Sequence, residues 1–234
     1  MNFKRFGISD DGQSLTEWTH SRHYQDGAAF CGDGALSFIR DDSTADSTEK
    51  QNRVVISGGC YGLLYVPRSV LWNDRELQLL SSRWSSIIVD SSLSVSSLVI
   101  AANNEGSIVI RDTLMASTVT VALTDSAYLE VKEINDAEYV SMITLEGAQI
   151  YIDSLVDSDT VDFAARNHSL IETANVINVH SLYLSLSHFS TVRIPHISST
   201  QLSFGREVNA RISLPEPHGD IQNDRDLADS MVFL

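Results

Sequence analysis

The sequence predicts an all-β fold, a right-handed parallel β-helix of about 7–8 rungs with three strands in each rung. The first observation is a series of apolar pairs whose first members are spaced by 21 residues five times and then by 20. These pairs are Leu77/Leu79, Leu98/Ile100, Val119/Val121, Val140/Met142, Val161/Phe163, Leu182/Leu184 and Leu202/Phe204. The second observation is another series of pairs ten residues further on, from Ile87/Val89 to Ile212/Leu214, with the same steps. The third is a set of small residues just before that second series: Ser85, Gly106, Ala127, Ala148, Ser169 and Ser190.

Two apolar residues separated by one outward residue are typical of a short β-strand, because side chains alternate between the two faces. A third, weaker set supplies the third strand of each rung: Leu93, Leu114, Ile134, Leu155, Val176 and Ile197. Equivalent residues recur in the same chain direction, without Asn-Gly or Asp-Gly turns between them, so the strands are predicted to be parallel. Right-handed winding is expected because parallel crossovers are right-handed in nearly all cases.

Residues 1–53 are predicted to form a small N-terminal cap and an acidic loop. Ser14-Leu15-Thr16-Glu17 has the pattern of a capping box, which predicts a short helix over residues 14–24. Residues 35–39 are apolar enough for one further strand. Residues 41–53 contain a single apolar side chain, Ala45, and indicate an exposed loop.

Residues 54–214 are predicted to form the parallel β-helix. Its first rung contains Val54/Ile56 and Leu64/Val66, which lie 23 residues before their counterparts. Residues 215–234 form a C-terminal cap or tail, since proline cannot donate to a strand ladder and Pro215 follows the last pair. The apolar segment 231–234 either folds back on the last rung or docks into a partner.

The composition narrows the classes of function. The chain has 31 acidic residues, 16 lysines and arginines, a net charge of −15 and 43% hydrophobic residues. This acidity argues against direct binding to nucleic acid, which requires a basic surface. The apolar runs are far shorter than the ~20 residues of a membrane span, and no secretory signal is visible, so a cytoplasmic protein is expected.

The sequence predicts no cofactor, no metal site and no catalytic site. The one close histidine pair is His20/His23, and Cys31 and Cys60 lie too far apart for a zinc-binding motif. Stacking of rungs nevertheless creates two columns of interest, Asp125/Glu146 and Glu138/Asp159/His180. Paired carboxylates at this spacing serve in glycoside hydrolysis or cation binding, and the alternative is that they are solvated turn residues.

A local excess of acidic residues is the most distinctive functional feature. Residues 120–165 contain ten acids and a single base, Lys132. The acids are Asp125, Glu130, Glu133, Asp136, Glu138, Glu146, Asp153, Asp157, Asp159 and Asp162. They are predicted to form an acidic face that attracts a basic protein partner, and the alternative is that they only keep the protein soluble.

Over residues 54–214 the 21-residue columns resemble the single-stranded right-handed parallel β-helix class. That class includes pectin-degrading enzymes, phage tailspikes, adhesin stalks and bacterial scaffold or filament proteins. The resemblance implies the architecture and carries no catalytic residues over to this chain. The favoured hypothesis is therefore a non-enzymatic interaction module. The alternatives are a structural subunit of a larger assembly and a carbohydrate-active hydrolase or lyase. The oligomeric state is left open.

Overall fold

The protein is a parallel β-solenoid of about seven turns, as the repeat predicts. The computed structural model describes residues 4–8, 15–18, 28–30, 35–40, 52–58, 63–66, 76–206, 209–214 and 232–233. Within these ranges, the helices and strands of the structure are all β-strands.

Six strands precede the continuous part of the solenoid. They are β1 (Lys4–Ile8), β2 (Leu15–Trp18), β3 (Ala28–Phe30), β4 (Ala35–Arg40), β5 (Asn52–Gly58) and β6 (Leu63–Val66). Thirteen strands follow, several of which bend around corners of the solenoid. They are β7 (Glu76–Ser82), β8 (Ser86–Val89), β9 (Leu93–Asn103), β10 (Ser107–Leu123), β11 (Tyr128–Asn135), β12 (Tyr139–Thr144), β13 (Gln149–Val156), β14 (Thr160–Ala165), β15 (Leu170–Leu186), β16 (Thr191–Arg193), β17 (Ile197–Arg206), β18 (Arg211–Leu214) and β19 (Val232–Phe233).

The strands stack into three parallel sheets, which we name by the apolar series that they contain. Sheet A holds the series of Leu77/Leu79 and runs in the order β5–β7–β9–β10–β12–β14–β15–β17. Sheet B holds the series of Ile87/Val89 and runs β6–β8–β10–β11–β13–β15–β16–β18–β19. Sheet C holds the series of Leu93 and is built from β9, β10, β11, β13, β15 and β17.

The predicted register is confirmed residue by residue. Val54 pairs with Leu77 and Ile56 with Leu79, so the first rung lies where the sequence places it despite its longer spacing. The ladder also shifts register at two places, between Ile110 and Thr113 and between Val176 and Val179. At these places one rung has an extra residue and the next rung absorbs it at a later corner, which keeps the repeat near 21 residues.

The hydrophobic core lies inside the rungs and is made of the predicted columns. The paired positions of sheets A and B are buried from Ile56 to Leu214, and Phe163 is the largest fully buried side chain. Because each rung buries its apolar side chains against the rungs next to it, stability is distributed along the length of the rod.

The corner between sheets A and B is a tight turn that repeats in successive rungs. Its two central residues both have positive φ, for example Asn104 (47°) and Glu105 (60°), and the N–H of Gly106 donates to the carbonyl of Asn103 at 2.9 Å. This is the geometry of a type I′ turn. The column that follows the turn is buried and small, as predicted, because the chain has little room there.

Three members of that small column are serines that tie successive rungs together. The hydroxyl of Ser190 accepts a hydrogen bond from the N–H of Ser187 at 3.2 Å and donates to the carbonyl of Ala165, one rung earlier, at 2.7 Å. Ser169 repeats the arrangement, accepting from the N–H of Arg166 and donating to the carbonyl of Thr144 at 3.0 Å. These hydroxyls satisfy buried backbone groups at the corners.

The N-terminal cap differs from the prediction. The expected helix over residues 14–24 is wrong where the structure describes it, because residues 15–18 form β2, paired antiparallel with β1. In turn β1 pairs with β3, and β3 pairs with β6 at the edge of sheet B. The first rung leaves a row of backbone donors and acceptors without partners, and an added strand satisfies them where a helix cannot.

Two other predictions about the ends are confirmed. The expected strand at residues 35–39 is β4, which covers the edge of sheet A by pairing antiparallel with β5. At the opposite end, β19 pairs with β18 in parallel, Val232 with Ser213 and Phe233 with Leu214. The C-terminal segment therefore folds back onto the last rung of its own chain.

Candidate functional site

Four of the ten predicted acids lie side by side at the corner between sheets C and A. They are Asp136, Glu138, Asp157 and Asp159, and we call them the acidic ridge. All four are exposed. The strands that follow them, β12 and β14, pair Tyr139 with Thr160, so that Glu138 and Asp159 occupy equivalent positions on neighbouring rungs. Neighbouring strands are ~4.8 Å apart, which sets the spacing of these side chains along the rod.

The local sequence explains why the ridge acids point outward. In each rung an acid, a small buried residue and another acid alternate, and the buried residues are Ala137 and Ser158, each 2% exposed. Alternation along an extended chain places the two acids on the outer side. Asp136 and Asp157 also have positive φ, 56° and 50°, a conformation that Asp and Asn tolerate better than most residues.

Backbone hydrogen bonds hold the ridge in place. The N–H of Asp159 donates to the carbonyl of Ala137 at 3.0 Å, and the N–H of Asp157 donates to the carbonyl of Ile177 at 3.0 Å. The amide of Asn178, at the same position of the next rung, donates to the Asp157 carboxylate at 2.9 Å. In the part of the chain that the structure describes, no ion pair involves the ridge acids, so their negative charge is not neutralised by neighbouring side chains.

The other six predicted acids lie elsewhere around the rod. Glu130 projects from sheet B, Glu133 from sheet C and Asp162 from sheet A, while Asp153 lies between sheets B and C. Asp125 and Glu146 lie at the corner between sheets A and B. Since these sheets face different directions, the structure does not bring the ten acids onto one face, and the ridge is the part that it does bring together.

Several of these six acids have local partners. The Tyr128 hydroxyl donates to Glu130 at 2.8 Å, and burial together with this bond and the charge of Glu130 raises the pKa of Tyr128 to about 12. Thr113 donates to Glu133 at 3.3 Å. The predicted base Lys132 pairs with Asp112 at 3.8 Å and so does not neutralise the predicted acids. Burial raises the pKa of Asp162.

Both predicted columns are formed. Asp125 and Glu146 lie on neighbouring rungs, and a hydrogen bond to Asp125 together with its charge raises the pKa of Glu146. Glu138, Asp159 and His180 also stack in register. All five side chains are exposed at corners. Such positions give no enclosed space for the paired-carboxylate chemistry that the sequence raised as an alternative.

One open depression of about 620 Å³ lies on sheet B towards the C-terminal end. Its lining includes Gln149, His168, Glu172, Arg193 and Arg211. Glu172 is the only carboxylate in that lining, and it pairs with Arg193 at 3.5 Å. The acids of the two predicted columns do not line this depression, so it does not make either column an active site.

Two further properties concern the described residues. They contain no group of three or more His, Cys, Asp or Glu side chains placed to hold a metal ion. Nor do they include a helix long and apolar enough to cross a bilayer. His20, His23, Cys31 and Cys60 lie outside the described residues.

No known protein family, curated protein or solved structure matches the chain. The protein is therefore classed by its architecture, as a parallel β-solenoid of about seven turns.

One functional feature escaped the sequence reasoning, namely the contrast in charge between sheets. The outward positions of sheet A contain few charged residues, although the chain as a whole is strongly acidic. The signal was present in the outward residues between the paired apolar positions, and it becomes visible once those residues are grouped by sheet.

Proposed function

We propose that this protein is a non-enzymatic interaction module whose solenoid presents the acidic ridge to a basic protein partner. The observation that carries the proposal is the ridge itself: four exposed acids on two neighbouring rungs, without ion pairs in the described part of the chain. Concentrated negative potential on a rigid surface attracts cationic partners and speeds their association.

The rigidity of the support favours this function over simple solubilisation. The ridge residues are separated by buried residues and are fixed by bonds between rungs, including the one from Asn178 to Asp157. A surface that is ordered before binding loses little conformational entropy when a partner docks. Acids whose only role is solubility do not require this ordering.

The test compares two variants with the same change in net charge. The ridge variant is Asp136→Asn, Glu138→Gln, Asp157→Asn and Asp159→Asn, which preserves side-chain size and suits the positive φ of residues 136 and 157. The matched control neutralises four acids on the other surfaces: Asp125→Asn, Glu130→Gln, Glu146→Gln and Asp162→Asn. Thermal melts establish that both variants are folded.

Binding is measured with a fluorescent lysine-rich peptide at several salt concentrations, and with affinity purification from the native cell. We expect the ridge variant to bind the peptide about five- to thirtyfold more weakly, since each exposed charge pair contributes roughly 0.2–1 kcal/mol. The control should bind nearly as well as the wild type. Equal losses in both variants would show that net charge alone is responsible, and the proposal would fail.

A further inference from the structure

Sheet A has an outer surface that is almost uncharged. It is formed by the three outward positions of each of the seven strands from β7 to β17, and we call it the neutral face. Its residues are Glu76, Gln78, Leu80, Ser97, Val99, Ala101, Thr118, Thr120, Ala122, Tyr139, Ser141, Ile143, Thr160, Asp162, Ala164, Ser181, Tyr183, Ser185, Gln201, Ser203 and Gly205. Glu76 and Asp162 are the charged members of this set, in a chain with 20% charged residues and a net charge of −15.

Large apolar side chains are exposed on the same face. Tyr139, Ile143 and Tyr183 are 40%, 42% and 45% exposed. Small residues surround them, so the face is flat. A contiguous apolar patch of this kind on an otherwise acidic surface indicates a protein interface.

We propose that the neutral face is the interface of a homodimer, in which two copies of the chain pack sheet A against sheet A with their rods antiparallel. Its dimensions fit this occupant. Seven strands at ~4.8 Å and seven residues at ~3.3 Å give about 30 Å by 20 Å, or about 600 Å² on each copy. Two such faces together bury about 1,200 Å², the lower end of the range for stable protein interfaces.

The charge distribution also favours a second copy over a charged partner. A face without basic residues has no group to pair with an acidic partner, and its two acids are too sparse to recognise a basic one. Two uncharged faces meet without desolvating many charges, and a twofold axis makes one patch complementary to itself.

The position of Asp162 selects the antiparallel arrangement. β12 is the fourth of the seven strands, so a twofold axis that runs along β12 reverses the strand order and keeps the three outward positions aligned. Asp162 on β14 then faces Thr120 on β10 of the second copy. An axis along the rod would instead place Asp162 against Asp162 of the second copy, and two like charges directly opposite each other are unfavourable.

The same axis places large residues opposite small ones. Leu80 on the first of the seven strands faces Gly205 on the last, where a neighbouring side chain has room because no atom lies within 4 Å of the position of an added Cβ. Tyr183 faces Val99. Ile143 lies at the axis and packs against Ile143 of the second copy, in the centre of the interface, where truncation or charge is most damaging.

The test is the mass of the full chain in solution, measured by sedimentation equilibrium over a range of concentrations. We expect twice the chain mass of 25.8 kDa at micromolar concentration. Ile143→Lys places two positive charges together at the axis and should weaken the dimer about a hundredfold. Ile177→Lys is the matched control, because Ile177 is 41% exposed at an outward position of sheet C. It should leave the dimer intact.

A second pair of variants tests the orientation without removing apolar contacts. In the antiparallel dimer, Thr120→Lys places a lysine opposite Asp162 twice and should tighten the dimer about threefold or more. Thr120→Glu should loosen it. If Thr120→Lys loosens the dimer, the rods are not antiparallel. A wild type that remains monomeric at all concentrations overturns the proposal, as does a dimer that survives Ile143→Lys in a folded variant.

The salt dependence separates this proposal from the proposed function. The axis along β12 brings the acidic ridges of both copies to the same edge of the dimer. Raising the salt concentration screens their repulsion and should strengthen the dimer, whereas it should weaken the binding of a basic peptide to the ridge. A dimer that dissociates as salt is added contradicts the antiparallel face-to-face geometry, and ridge binding is unaffected by that outcome.

Discussion

Gly106 lies at the point where one rung comes closest to the backbone of the rung before it. A Cβ atom added to Gly106 would lie 2.7 Å from both the carbonyl carbon and the oxygen of Ser81 and 2.9 Å from the nitrogen of Ser82. These are backbone atoms held by the ladder between β7 and β9, so no side-chain rotation relieves the overlap. Gly106→Ala must therefore separate the two rungs locally.

The expected cost follows from comparable overpacking. Forcing extra carbon atoms into a packed region costs about 1–3 kcal/mol, and we expect Gly106→Ala to fall at about 2–3 kcal/mol because the obstacle is backbone. For a chain of this length, each kcal/mol lowers the melting temperature by roughly 2–4 °C. The predicted decrease is therefore about 4–12 °C.

Two other glycines provide a graded control. Gly205→Ala places its Cβ in open space and should leave the melting temperature nearly unchanged. Gly147 has a φ of +77° with its nearest side-chain atom at 3.4 Å, so Gly147→Ala should cost about 1 kcal/mol of backbone strain. The assay is thermal and urea unfolding followed by circular dichroism. If Gly106→Ala melts within 2 °C of Gly205→Ala, where 2 °C is roughly the effect of 0.5–1 kcal/mol, the close approach of the two rungs is refuted.

Three further predictions concern side chains. Ser190→Ala removes a hydroxyl that bridges two rungs and should destabilise the protein by about 1–3 kcal/mol, measured by urea unfolding, since it leaves a buried carbonyl without its donor. Asp125→Asn should raise the melting temperature at neutral pH, because the raised pKa of Glu146 means that the native state loses stability as pH rises through that pKa; the gain should vanish in acid, where Glu146 is protonated, and a gain that persists there would contradict this cause. Glu130→Gln should lower the pKa of Tyr128 from about 12 without restoring its ordinary value, because burial is the larger cause; ultraviolet titration of the tyrosinate measures it, and an unchanged pKa would rule out a contribution from Glu130.

The short-range pattern failed at the N-terminus for a physical reason. Residues 14–17 satisfy the local pattern of a helix start, and the structure makes residues 15–18 a strand paired with β1. A capping box stabilises a helix by about 1 kcal/mol, whereas the end of a solenoid leaves an entire row of backbone groups to be paired. The wider demand for hydrogen bonds outweighed the local preference.

The acidic surface shows a different kind of limit. The ten acids are close together in the sequence, but a rung of 21 residues turns through a full circle, so acids a few residues apart point in different directions. Asp153 and Asp162 lie nine residues apart and belong to different sides of the rod. Asp136 and Asp157 lie 21 residues apart and are neighbours.

By itself the sequence determined the architecture, the register and the core, because a period of 21 residues with inward apolar pairs has one economical packing. It also determined which residues face outward. Only the tertiary structure decided which outward residues share a surface, separating the acidic ridge from the neutral face of sheet A. That outcome depends on where each corner bends, and the corners are set by turn geometry and register shifts that span neighbouring rungs.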